Sequence, residues 1–153
     1  MARIVIENIL ILCIGDICRS PVAEGLLKKK SAAIDFPVQV VSAGLHAMVG
    51  APADATAQSL MQAVAGDISA HRARQVNQAM ILEADLIVTM DRAQQRQIES
   101  KFPTACGKVH RLGKWGDFEV LDPYKRPLIV FKQVFSLIEE GIEDWCRVLR
   151  NKR

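Results

Sequence analysis

The stretch Ile9-Leu10-Ile11-Leu12-Cys13-Ile14-Gly15-Asp16-Ile17-Cys18-Arg19-Ser20-Pro21 decides how the rest of the chain is read. Its first half is a short apolar run of the kind that forms a strand buried on both faces. Its second half leads into residues 21–30, which have helical character, and proline suits a first helical position. A loop between a strand and a helix can turn its backbone N–H groups inward. Such a nest, with the positive end of the helix, holds a tetrahedral oxyanion and lowers the pKa of a thiol placed inside it. Gly15 permits close backbone approach, and Arg19 offers a planar fork for two phosphate oxygens. A phosphate held this way would have its phosphorus facing the Cys13 sulfur.

Outward from this stretch, apolar runs rich in Ile and Val recur at residues 38–41, 86–90 and 109–112. Between and after them lie helical patterns at 54–65, near 77–83, at 92–101 and from about 128 to 150. In the last, Phe131, Val134, Phe135, Ile138, Ile142, Trp145 and Leu149 return every three or four positions, which makes one stripe facing a sheet. Strands alternating with helices predict an α/β fold with a parallel sheet between helical layers. No repeat, low-complexity segment or linker divides the chain, so residues 1–153 are expected to form a single domain. Ligands of such sheets bind beyond the C-terminal ends of the strands, where strand order reverses.

With 153 residues, half of them hydrophobic, there is material for one well-buried core. Twenty Lys and Arg against 17 Asp and Glu leave a net charge of +3, scattered rather than striped, so no nucleic acid is expected as partner. Glu7 and Asn8 interrupt the first apolar residues and no run reaches membrane-spanning length, which argues against a secretory signal and against membrane insertion. Four cysteines in such a chain are expected to be reduced thiols in a cytoplasmic protein. Cys13 and Cys18 have a tolerable zinc spacing but lack a second pair or a Cys/His cluster, so no metal is expected.

The segment Cys13–Pro21 resembles the phosphate loop of the low-molecular-weight protein tyrosine phosphatases, which usually reads Cys-x-Gly-Asn-x-Cys-Arg-Ser-Pro. The resemblance continues in Ser42-Ala43-Gly44, in Asp67-Ile68-Ser69-Ala70-His71-Arg72-Ala73-Arg74-Gln75-Val76, in Met90-Asp91 and in Asp122-Pro123-Tyr124. It implies a flavodoxin-like phosphatase fold with a four-stranded parallel sheet in the order 2-1-3-4, helices on both faces and the phosphate loop at the switch point. It implies hydrolysis of protein phosphotyrosine through a phosphocysteine intermediate, with no cofactor.

By that resemblance Cys13 is the nucleophile, Arg19 holds phosphate and Asp122 is the general acid. Ile14, Gly15, Asp16, Ile17, Cys18 and Ser20 complete the phosphate loop, with Ser20 donating to the thiolate. Ser42 and His71 brace the loop from behind, and Met48, Tyr124 and Lys125 line the substrate entrance with His46 nearby. The chemistry agrees, since a phenolate leaving group of pKa near 10 needs a positioned acid. Taken alone, Asp-Pro is usually a turn, and Ser20 reads equally as a helix cap. Met48 and Lys125 stand where many relatives carry tryptophan and a second tyrosine. They look more like the bacterial members that dephosphorylate tyrosine-rich tails of autokinases controlling exopolysaccharide export. The expected partner is then a phosphotyrosyl protein of that kind, met by a monomer or weak dimer.

Two rival readings remain open at this point. An arsenate reductase of similar architecture would need Cys18, Cys106 or Cys146 to relay a disulfide. A catalytically impaired phosphotyrosine-binding module is suggested by Asp16, which replaces the family's neutral amide with a carboxylate. An ionised Asp16 would oppose both phosphate and thiolate, and a pair with protonated His71 is the expected relief. Cys18 is also a candidate to capture an oxidised Cys13 as a disulfide.

Overall fold

β1 (Asn8–Cys13) sends Ile9, Ile11 and Cys13 to one side of the sheet and Leu10 and Leu12 to the other, all of them buried. Side chains alternate along a strand, so a run apolar at every position from Ile9 to Cys13 needs cover on both faces. The computed structural model, which describes residues 5–151, provides it. After β1 come α1 (Arg19–Ala33), β2 (Gln39–Gly44), α2 (Ala55–Ala63), α3 (Gln78–Glu83), β3 (Leu86–Thr89), α4 (Arg92–Lys101), β4 (Val109–Arg111) and α5 (Leu128–Asn151). The strands form one parallel sheet in the order β2-β1-β3-β4.

One core half joins Ile9, Ile11, Leu86 and Val88 to α1, α2 and the stripe of α5, where all seven residues of the sequence pattern are buried. The other joins Leu10, Leu12 and Ile87 to Ile81 of α3, Ile98 of α4 and Phe102. Full burial of each such aliphatic side chain stabilises by roughly 1.5–3 kcal/mol. The Trp145 indole N–H donates to the carbonyls of Arg111 and Leu112 at 3.1 and 3.0 Å, tying α5 to the end of β4.

The sheet positions the site through its register. Cys13 lies opposite Gly44 at the C-terminal ends of β1 and β2. The chain leaves β1 for β2 on one side and later returns to β3 on the other, so the switch point lies directly beyond Cys13.

Several element ends differ from the sequence expectation by one to three residues, and two of these shifts bear on the site. β2 runs on to Gly44 because Ser42, Ala43 and Gly44 stay in register with Ile11, Leu12 and Cys13 of β1, an extension hidden by the polar Ser42 and the missing side chain of Gly44, which also bridges to Gln75. α1 begins at Arg19, two residues before Pro21, and its N-cap is Cys18, which makes no side-chain capping bond. Ser20 is therefore not a helix cap. Asp91, matched by resemblance but without an assigned role, caps α4 by accepting from the Gln94 N–H at 2.8 Å.

Candidate active site

Between β1 and α1 every carbonyl from Cys13 to Cys18 accepts a hydrogen bond. Leu45 N–H donates to Cys13 O (2.9 Å), His46 N–H to Ile14 O (2.9 Å) and Met48 N–H to Gly15 O (3.0 Å). Asp54 N–H donates to Ile17 O (2.8 Å) and Val22 N–H to Cys18 O (3.3 Å). Asp16 O receives the His71 ring at 2.7 Å through Nε2, and since a carbonyl only accepts, that nitrogen carries a hydrogen. In a trans peptide the C=O and the following N–H point in opposite directions. Carbonyls pulled outward by the surrounding chain thus turn the loop's amides inward, toward the space above Cys13.

That space is a cavity of about 170 Å³. Cys13 and Arg19 form its floor, Ile14, Ile17, Met48 and Tyr124 supply apolar wall, and His46 and Asp122 stand at the rim. Arg19, buried at the start of α1, donates from Nη1 to Val120 O at 2.9 Å and places Nη2 3.7 Å from Asp122 Oδ2. Its Nε has no acceptor among the described residues, so one edge of the fork remains for a ligand oxygen. Asp122 is half exposed, and its Oδ1 accepts from the Tyr124 N–H at 3.1 Å, which fixes the carboxyl over the cavity mouth. Lys125 does not line the cavity; its ammonium lies 5.4 Å from the Tyr124 ring centroid.

Behind the loop, Asp16 is wholly buried and has φ 59°, a left-handed conformation that Asp and Asn adopt more readily than other side chains. Its Oδ1 accepts from Ser20 Oγ at 2.7 Å and its Oδ2 from the Arg74 N–H at 3.0 Å. Ser20 Oγ lies 2.9 Å from Cys13 Sγ. The expected partner His71 is 3.6 Å from Asp16 Oδ2, farther than from the Asp16 carbonyl. Burial pushes the Asp16 carboxyl above its ordinary range, opposed by hydrogen bonds from Ser20 and Arg74 N–H, by the nearby Ser42 hydroxyl and by His71. Ser42 Oγ, buried, makes no hydrogen bond of ordinary geometry among the described residues, yet it is close enough to Asp16 to favour the charged form. Burial, then Asp54, pushes the Cys18 thiol strongly up.

Residues 71–76 carry bracing groups that sequence reasoning did not single out. Arg74 Nε donates to Ser42 O (3.0 Å), while Gln75 accepts from the Ala47 N–H (2.8 Å) and donates to Leu45 O (2.7 Å). Gln75 therefore holds the segment whose amides hold the loop. Gly44 was also passed over as a packing residue: a Cβ there would stand 2.5 Å from Ile14 O, whereas one at Gly15 would meet only Ile17 and Met48 at an ordinary 3.7 Å. The close approach between protein segments lies at Gly44, not Gly15. Among the described residues no cluster of His, Cys, Asp or Glu has the form of a metal site.

Comparison with known proteins agrees with this geometry. A probable low-molecular-weight protein-tyrosine-phosphatase, EpsP, of Ralstonia nicotianae is 41% identical over 145 residues, covering 95% of this chain and 97% of that one. Vibrio vulnificus Wzb, solved with benzylphosphonate, superposes with a TM-score of 0.87 at 31% identity, covering 93% of this chain and 98% of that one. The YwlE arginine phosphatase of Geobacillus stearothermophilus gives 0.88 at 29% identity over 95% of this chain and 94% of that one. Residues 8–153 match the family model for low molecular weight phosphotyrosine protein phosphatase, and the chain belongs to that family.

Proposed function

We propose that this chain hydrolyses phosphotyrosine in proteins with Cys13 as nucleophile, Arg19 as phosphate fork and Asp122 as general acid and base. In the first step the Cys13 thiolate attacks phosphorus, the bond to the tyrosyl oxygen breaks, and Asp122 gives that oxygen its proton. In the second, water attacks phosphorus while Asp122 takes its proton, and the S–P bond breaks to return thiolate and inorganic phosphate. Loop amides and Arg19 stabilise the equatorial oxygens throughout. The observation that carries the reading is the engagement of the five carbonyls from Cys13 to Ile17 by segments outside the loop, which leaves the amides between them to face one thiol.

The apolar wall of Ile14, Ile17, Met48 and Tyr124 suits a flat aryl ring better than a guanidinium. Phosphotyrosine is thus favoured over phosphoarginine, the alternative raised by the arginine phosphatase among the structural relatives. A disulfide relay has poor support: Cys106 precedes β4, at the end of the sheet opposite the loop, and Cys146 is buried on α5 beside Lys30, near the far end of α1. We also infer a single cytoplasmic domain, monomeric or weakly dimeric, whose partner is a bacterial tyrosine autokinase, because Met48 and Lys125 resemble those members. No helix among the described residues is long and apolar enough to cross a membrane.

The test is turnover of phosphotyrosyl and phosphoarginyl peptides in chelator without added thiol relay. Hydrolysis of the first in strong preference, abolished by Cys13→Ser, is the expected result. Preference for phosphoarginine, or full activity of Cys13→Ser, would overturn it.

A further inference from the structure

Ser20 stands between two groups that both need its single hydroxyl hydrogen. Its Oγ lies 2.9 Å from Cys13 Sγ and 2.7 Å from Asp16 Oδ1, and all three residues are buried. A carboxylate and a thiolate only accept hydrogen bonds, and a serine hydroxyl has one hydrogen to give. If Asp16 is ionised, Ser20 must donate to it, and the hydroxyl can meet Cys13 only by accepting the hydrogen of a neutral thiol. If Cys13 is a thiolate held by Ser20, the Asp16 oxygen 2.7 Å away faces a lone pair, and only a protonated carboxyl can fill that contact with an O–H donor. With both ionised, one anion is left buried against a lone pair, which is costly. An asparagine at this position would avoid the conflict, because its amide nitrogen can donate to the serine whatever the state of Cys13.

We propose that Asp16 is a positioning residue that controls the Cys13 thiolate by exchanging one proton with it through Ser20. When the thiolate forms, the Cys13 S–H bond breaks and its hydrogen passes to Ser20 Oγ, while the hydrogen already on Ser20 passes to Asp16 Oδ1. Net charge is unchanged, and no outside acid or base is consumed. The assignment rests on Cys13 being the nucleophile. Burial of the Asp16 carboxyl, which penalises its charged form, favours the arrangement that holds the thiolate.

Groups facing the chain of three act on the balance. His71 lies 3.6 Å from Asp16 Oδ2, so its protonation draws the proton off Asp16 and disfavours the thiolate. This reverses the benefit that charge neutralisation alone would suggest. Arg74 gives Oδ2 its backbone N–H and directs its side chain to Ser42 O. On the cavity side, Arg19 and Asp122, 3.7 Å apart, face Cys13, and Cys18 and His46 also border the space.

Alkylation of Cys13 by iodoacetate, followed by peptide mass spectrometry from acid to neutral pH, reads the thiolate directly. Asp16→Asn should move the alkylation midpoint down by about one pH unit, a roughly tenfold gain in rate on the acid limb. In a Ser20→Ala background the same substitution should move it by less than about a third of that, because the connection is cut. An unchanged midpoint, or an equal shift with and without Ser20, overturns the proposal.

If Asp16→Asn does not fold, the infrared carbonyl band of a buried protonated carboxyl decides. It should be present near neutral pH in wild type and absent in Cys13→Ser; a band equal in both, or missing from both, overturns the proposal. Full turnover by Cys13→Ser would instead refute the nucleophile assignment, so the two failures are distinct.

Discussion

Gly44→Ala tests whether close packing behind the loop sets the geometry of the phosphate site. The added Cβ would stand 2.5 Å from Ile14 O and 3.0 Å from Ala47 Cα and Cβ. The first contact is about 0.9 Å short of the 3.4 Å at which ordinary contact begins. Ile14 O belongs to the backbone and is bound by the His46 N–H at 2.9 Å, so no flexible side chain can give way. The peptide that must move carries the Gly15 N–H on its inner edge, one of the donors turned toward the cavity. A displacement of about 1 Å at such a donor costs on the order of 10²-fold in rate, and overpacking costs roughly 1–3 kcal/mol of stability. The assay pairs kcat/KM for p-nitrophenyl phosphate with urea unfolding. Gly15→Ala, whose Cβ has ordinary protein contacts, should keep wild-type stability. If Gly44→Ala stays within about threefold of wild-type kcat/KM, the packing does not set the loop geometry and the reasoning fails.

Four further outcomes follow from the geometry. Arg19→Lys, which loses the planar fork and the bond to Val120 O, should lower kcat/KM by about 10²–10³-fold in the same assay. Asp122→Ala should slow phosphotyrosine cleavage by about 10²–10⁴-fold with a loss that shrinks as leaving-group pKa falls; equal loss across aryl phosphates would remove Asp122 from the acid role. Because burial raises the Asp16 carboxyl above its ordinary 3.8, its ionisation destabilises the folded state increasingly as pH rises from there. Asp16→Asn should therefore stabilise the protein at neutral pH in urea titrations, with the gain vanishing below pH 3.8. Mild peroxide should join Cys13 to Cys18, and the raised Cys18 thiol should make capture faster as pH climbs; absence of the cross-link by mass spectrometry would leave Cys18 a packing residue.

Strand-helix alternation and the apolar run before Cys13 made the parallel sheet and the loop legible, because burial on both faces leaves no polar position between Ile9 and Cys13. The stripe of α5 was equally plain, since one wide apolar face imposes its period on sequence. Family resemblance, rather than spacing, picked out Asp122 and His71: an aspartate before proline and a lone histidine carry no local mark of where they fold. Bracing groups escaped for a different reason. Gln75 acts through bonds to Leu45 and Ala47 across 28 to 30 residues, and the need for Gly44 arises only when β2 is laid beside the loop. Asp16 was legible as a charge problem, and His71 does stand 3.6 Å from its Oδ2, but the contact with Ser20 was not legible. Pairing with His71 is an arithmetic of charges, whereas the contact with Ser20 is a matter of which atom holds one hydrogen, and that requires the distances on both sides of Oγ.

The central claim is that phosphate passes through the Cys13 sulfur. Rapid quench of Asp122→Ala with p-nitrophenyl phosphate, whose leaving group departs with little help from an acid, followed by peptide mass spectrometry, tests it directly, because loss of the base slows the second step and lets the intermediate accumulate. Phosphate on Cys13, formed and discharged at rates that account for turnover, is the predicted result. Phosphate on another residue, or turnover with Cys13 unmodified throughout, would contradict the account.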